Sequence, residues 1–161
     1  MTTSAEPRPD LRQPVHFLAF GFGAGLLRPA PGTWGTLVAV PLAYALSYLP
    51  LGGYLLVTAL VVLSGIWLCG ESSRRLGVHD HGGIVWDEIA GYLITVAGLA
   101  QDPLWLALGF VLFRLFDILK PWPISWVDRQ VGGGLGIMLD DLLAGGLAGL
   151  CLWLVVVLSG S

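Results

Sequence analysis

IMLDDLLAGGLAGLCLWLVVVL, residues 137–158, is the longest apolar stretch of the chain, broken only by Asp140 and Asp141 near its start. As a helix it would extend about 33 Å, enough to cross a hydrocarbon layer about 30 Å thick. It reads as a membrane-crossing helix with two carboxylates near one end. Carboxylates cost free energy in or beside hydrocarbon, so they persist there only with a partner or a task.

Shorter apolar runs repeat the pattern. Residues 35–49 end at Pro50, and 54–70 carry no charge. Residues 84–100 are apolar except Asp87 and Glu88 near their start, and 104–119 except Arg114 and Asp117 near their end. Residues 15–27 are too short to span alone and read as a re-entrant or interfacial segment leading into Pro29-Ala30-Pro31-Gly32. Mean hydropathy is +0.78, and 55% of residues are hydrophobic against 12% charged. Gly, at 23 residues, is frequent, as in membrane helices whose backbones approach closely. The 161 residues suit one domain. The expected fold is all-α: a compact integral membrane bundle of about four to six helices with short loops, over residues 14–161, behind a disordered polar tail at 1–13.

The run after Arg8 and Arg12 mimics a signal-peptide core, but a structural Gly/Pro block follows it and no cleavage site is evident. The net charge of -3 and scattered basic residues offer nothing to nucleic acid. Cys69 and Cys151 lie in apolar runs without His or basic neighbours, as buried small residues do, and neither a disulfide nor a catalytic thiolate is expected.

Orientation follows from the basic residues. The turns at 50–53 and 101–103 carry no Lys or Arg; Arg8, Arg12, Arg28, Arg74, Arg75, Arg114, Lys120 and Arg129 all fall at the other ends of the spans. The positive-inside rule puts those ends in the cytoplasm of a bacterial inner membrane protein. The same topology gathers Asp80, Asp87, Glu88, Asp117, Asp128, Asp140 and Asp141 on that face, with the active site at the cytoplasmic helix ends.

Each block has a plain alternative. Acids at a helix start complement its macrodipole, which would account for one residue each of Asp87-Glu88 and Asp140-Asp141. Their recurrence as adjacent pairs instead suits a hard divalent cation such as Mg²⁺, held by Asp87, Glu88, Asp117, Asp140 and Asp141. Arg114 and Asp117, three apart, share a helix face, as an internal ion pair or with Arg114 on phosphate. Lys120 precedes Pro121 and so stands at the helix exit, as an interfacial anchor or a phosphate ligand. Pro121 and Pro123 stiffen the turn that follows, and Trp122 and Trp126 suit an interfacial belt. Pro31-Gly32-Thr33-Trp34-Gly35-Thr36 reads as a phosphate-cradling helix start or as a plain N-cap at Thr33. His79 and Asp80, before Gly82-Gly83, are candidates for proton transfer. His81 is a weaker candidate, and His16 reads as structural.

Four ordered stretches, PGTWGTL (31–37), GVHDHGGIVWDEIAG (77–91), FRLFDILKPWPISWVDR (113–129) and GGGLGIMLDDLLAGG (132–146), resemble the phosphatidylglycerophosphatase A family. Thr36 stands where that family often has Ser, which keeps the hydroxyl. The resemblance implies an all-helical, Mg²⁺-dependent membrane enzyme that removes the terminal phosphate of phosphatidylglycerophosphate to give phosphatidylglycerol. It does not assign the individual carboxylates. Combined with the residue patterns, it suggests His79, Asp80 and Asp117 as catalytic, Thr33, Arg114 and Lys120 on phosphate, and the acid pairs on metal. A covalent aspartyl-phosphate is an alternative to metal-assisted attack by water. No Asp-x-Asp phosphatase motif is present. The rival class is a small cation transporter, which would distribute its acids through the membrane depth.

Overall fold

A computed structural model describes residues 7–160, and among them every regular element is helical. Helix α1 (Pro14–Ala19) leads through a 3₁₀ segment (Gly21–Leu26) into α2 (Pro31–Leu46), α3 (Leu51–Leu76), α4 (Trp86–Thr95), α5 (Pro103–Leu119), α6 (Ile124–Gln130) and α7 (Gly133–Ser159). Of the tail expected at 1–13, the first six residues lie outside the described part. The rest is held to the body: the Pro7 carbonyl accepts from His81, and Gln13 from Arg75.

Local chemistry explains the boundaries. Pro31 and Pro103 each occupy a first turn, where a missing N–H costs nothing. Asp102 caps α5, accepting from the Leu104 N–H at 2.8 Å. Helix α3 closes on Gly77 in the left-handed region (φ 69°), with Arg74 and Arg75 in its last turn opposite the negative dipole end. Helix α5 closes on Lys120, also left-handed (φ 41°), directly before Pro121.

Helices α3 and α7, of 26 and 27 residues, contain 18-residue stretches of mean hydropathy 2.0 and 2.4 and are long and apolar enough to cross a membrane. The run at 84–100 forms a helix of only ten residues, α4, followed by turns. Residues 15–27 form two short helical pieces rather than one helix, because Gly21, Phe22 and Gly23 adopt positive φ. The Val85 N–H donates to the Ala19 carbonyl, fastening these pieces under the loop before α4. Helix α6 directly follows the Pro121–Pro123 turn; Trp122 in that turn and Trp126 within the helix are exposed.

Helix α7 packs against α3, α4, α5 and α6. Its approach to α4 runs through glycine. A Cβ on Gly91 would lie 2.6 Å from the Asp141 carbonyl oxygen, and one on Gly145 would run into the Gly91 carbonyl. Tyr92, Phe113, Ile89, Leu93 and Leu152 fill the core around this contact. The short helix α4 is fastened near its far end: Tyr54 donates to the Leu93 carbonyl at 2.7 Å, and Tyr92 donates to the Leu106 carbonyl at 2.8 Å. Cys69 is buried and Cys151 half-buried, both as free thiols.

Candidate functional site

Three helices, α4, α5 and α7, bring acids together at one end of the bundle. Asp87 and Glu88 lie in the first turn of α4, and Asp117 in the last turn of α5. Asp140 and Asp141 lie nearly two turns inside α7, which begins at Gly133. At that depth the macrodipole no longer accounts for them, since its effect fades beyond the first turn. It still applies to Asp87 and Glu88.

These acids surround a cavity of about 150 Å³ whose wall includes His79, Asp80, Asp87, Glu88, Asp117 and Lys120, with Asp128, Asp140 and Asp141. One carboxylate oxygen each from Asp87, Glu88 and Asp141 lies within 4.8 Å of the other two. The spacing of helical residues explains the meeting. Gly91 follows Asp87 by four positions, and Gly145 follows Asp141 by four, so each glycine shares a helix face with its acid. The close backbone approach thus brings the acids together. Burial is deep: Asp87 is 9% exposed, Asp140 7% and Asp141 3%.

The other acids have cationic partners. Arg114 pairs with Asp117 and stands 3.9 Å from Glu88. Lys120 Nζ donates at 2.6 Å to both Asp128 Oδ1 and Asp140 Oδ2, tying α5, α6 and α7 together. Asp117 and Asp140, expected among the metal ligands, thus stand beside the Asp87–Glu88–Asp141 trio, each held by a basic residue. Burial lowers the Lys120 pKa, but its two carboxylate partners outweigh that and raise it, so it is charged at neutral pH. Asp80, on the loop before α4, keeps surface open to solvent, yet the protein crowded around its carboxyl pushes its pKa above the usual range.

The remaining expected residues divide. His79 lines the cavity on a loop that the Ser73 hydroxyl holds through the Val78 and His79 carbonyls. His81 is buried outside it: Nδ1 accepts from the Gly83 N–H and Nε2 donates to the Pro7 carbonyl, each at 3.0 Å. His16 is buried with Nδ1 2.8 Å from Ser72 Oγ. Thr33 is half-buried in the first turn of α2 and does not line the cavity; Ala30, not Thr33, is the N-cap. The α2 residue that touches the cluster is Gly32, where a Cβ would lie 2.8 Å from Arg114 Nη1 and collide with Glu88. Asp128 is a further cavity residue that the sequence does not mark, because its pairing with Lys120 depends on helix α6.

The donor set is hard oxygen, the kind Mg²⁺ takes. Asp87 Oδ1, Glu88 Oε2 and Asp140 Oδ1 are buried without a hydrogen-bond partner among the described residues, as is Arg114 Nε. Buried polar atoms are normally satisfied, so these oxygens fit a cation and the Arg114 nitrogen an anion beside it.

A family model described as Phosphatidylglycerophosphatase A matches residues 17–156. The chain is 49% identical over 142 residues to the Escherichia coli (strain K12) protein of that name, covering 88% of this chain and 83% of that protein. It is 48% identical over 137 residues to the protein of the same name from Haemophilus influenzae, covering 84% of each. No solved structure matches.

Proposed function

The chain belongs to the phosphatidylglycerophosphatase A family, and from that premise we propose that it hydrolyses the terminal phosphate of phosphatidylglycerophosphate, leaving phosphatidylglycerol, at the carboxylate cavity. The observation that carries this is the trio Asp87, Glu88 and Asp141, with ligand oxygens within 4.8 Å of one another, Arg114 3.9 Å from Glu88 and Lys120 bonded to the neighbouring Asp140. Acids alone would repel a phosphomonoester. Acids around a divalent cation, flanked by a guanidinium and an ammonium, attract one.

Asp87, Glu88 and Asp141 would hold Mg²⁺, with Asp117 and Asp140 steadied beside them by Arg114 and Lys120. When bound there, Mg²⁺ supplies neutralisation of phosphate charge and activation of water. Arg114 is suited to bidentate contact with phosphate oxygens, and its buried Nε has no partner among the described residues. Lys120 offers a point charge at the cavity wall. Water oxygen attacks phosphorus, and the bond from phosphorus to the glycerol oxygen breaks. His79 and Asp80 are the groups that take the water's proton and return one to the departing glycerol oxygen. The protein lies in the bacterial inner membrane as a multi-pass bundle with this cavity facing the cytoplasm, consistent with the basic residues gathered at that end.

The test is phosphate release by purified protein from phosphatidylglycerophosphate, with Mg²⁺, with chelator, and with Mg²⁺ restored. Release only with Mg²⁺ supports the whole proposal. Release that survives chelation removes the metal and leaves the hydrolase. No release under any condition removes the reaction.

A further inference from the structure

Lys120 stands between two carboxylates of unequal depth. Its Nζ donates at 2.6 Å to Asp140 Oδ2, whose side chain is 10% exposed, and at 2.6 Å to Asp128 Oδ1, whose side chain is 41% exposed. Asp140 therefore pulls the ammonium toward the inside of the cavity and Asp128 toward its mouth. Helix α6 supplies the outer pull. Ile124 and Val127 are buried where α6 packs on α7, and Asp128 follows Ile124 by four positions on that same face. The left-handed turn at Lys120 ends α5, and the chain returns so that Asp128 meets the residue eight positions before it.

The inner side holds a strong attraction for an ammonium. Six carboxylates besides Asp128 line the cavity, and Lys120 is the one Lys or Arg among the described residues on that wall. Asp140, the inner partner, directly precedes Asp141 of the carboxylate trio, and its Oδ1 is buried without a partner among the described residues. A lysine is a compact charge on a flexible four-carbon stem. Held by Asp140 alone, it can swing inward and neutralise the acids that would hold a cation. Held by both acids, it uses two of its three N–H groups and keeps the third for a phosphate oxygen.

We propose that Asp128 is a positioning residue, which holds the Lys120 ammonium at the cavity mouth for the substrate phosphate and keeps it from displacing the cation at Asp87, Glu88 and Asp141. This rests on the metal-assisted hydrolysis proposed above and deepens it. Asp128 touches neither metal nor phosphate. It acts through Lys120, so its effect must vanish when Lys120 is absent.

The test is a double-mutant cycle of wild type, D128N, K120M and the double variant, each the full chain in neutral detergent. Mn²⁺ binding without substrate is read from the free-ion signal in electron paramagnetic resonance, and phosphate release from phosphatidylglycerophosphate is measured over a range of Mg²⁺. D128N is expected to weaken Mn²⁺ binding about tenfold when Lys120 is present and less than about threefold in the K120M background, a coupling of the size found within one ion-pair network. D128E should recover most of the affinity. Excess Mg²⁺ should bring D128N to within about threefold of the wild-type kcat, because the cation displaces the ammonium again, whereas K120M should stay low at every Mg²⁺ concentration. D128S enters the same cycle if D128N does not fold. Equal weakening of Mn²⁺ binding with and without Lys120 overturns the proposal, since Asp128 would then act by its own charge. Unchanged binding in D128N, or a kcat that excess Mg²⁺ does not restore, overturns it too. A wild type that binds Mn²⁺ but releases no phosphate overturns the hydrolase reading instead, and the binding cycle still decides the role of Asp128. A wild type that binds no Mn²⁺ overturns the metal site and this proposal with it.

Discussion

Gly91 and Gly145 hold α4 against α7 at backbone contact, each four residues beyond a carboxylate of the candidate metal trio. G145A should therefore push the acids apart without removing one. Overpacking of this kind costs typically 1–3 kcal/mol. The sharper expectation is a rise of about tenfold or more in the Mg²⁺ concentration needed for half-maximal activity, read from a metal titration of phosphate release.

D87N and D141N remove ligand charge while keeping shape. Each should lower kcat by roughly two to three orders of magnitude, the scale on which removal of one electrostatic stabiliser acts. Thermal unfolding measured without metal should be unchanged or slightly higher, because relief of repulsion among buried carboxylates offsets the lost contact. A variant that keeps wild-type kcat would take its residue out of the site.

Lys120 combines an unusual backbone with a doubly engaged side chain. K120G and K120A both remove the ammonium and should lose activity alike. They should differ in stability, because only glycine adopts φ 41° without strain. The expected gap is about 1 kcal/mol in favour of glycine, from denaturant unfolding.

Arg114 keeps Asp117 and Glu88 company inside the bundle. R114A leaves both acids uncompensated and should cost roughly 3–5 kcal/mol, the penalty for breaking a buried pair. R114K should restore much of the stability but little of the activity, because a point charge cannot make the bidentate contact. Parallel unfolding and kinetic measurements separate the two effects.

The raised pKa of Asp80 gives a pH signature. A proton acceptor works only when ionised, so activity should rise with pH through that raised value, above the ordinary carboxylate range. D80N should lower kcat and remove that acid limb from the pH–kcat profile. A limb that persists unchanged in D80N would assign it to another group.

Much of the site was legible because charge is so scarce in this chain. Positive-inside bookkeeping alone brought Asp87, Glu88, Asp117, Asp140 and Asp141 to one end. Their depth was not legible, because α7 starts at Gly133 and Gly134, residues that ordinarily mark a loop. Helix α6 was hidden for a similar reason: Pro121 and Pro123 read as a turn, although a proline just before a helix is well placed. Thr33 stands out in the sequence because hydroxyls announce caps, whereas the close approach at Gly32 shows only once its neighbours are placed. One signal was available and unused. Asp87-x₃-Gly91 and Asp141-x₃-Gly145 share a spacing, which marks the two faces that meet.

The brevity of α4 has a mechanical consequence. Its acids ride on a ten-residue peg whose far end is bolted by Tyr54 to α3, while Tyr92 bolts it to α5. The strain of a lengthened or shortened connection at 96–102 would be absorbed beyond those bolts. The far surface of the protein is thus free to drift in sequence and length while the carboxylates stay in register.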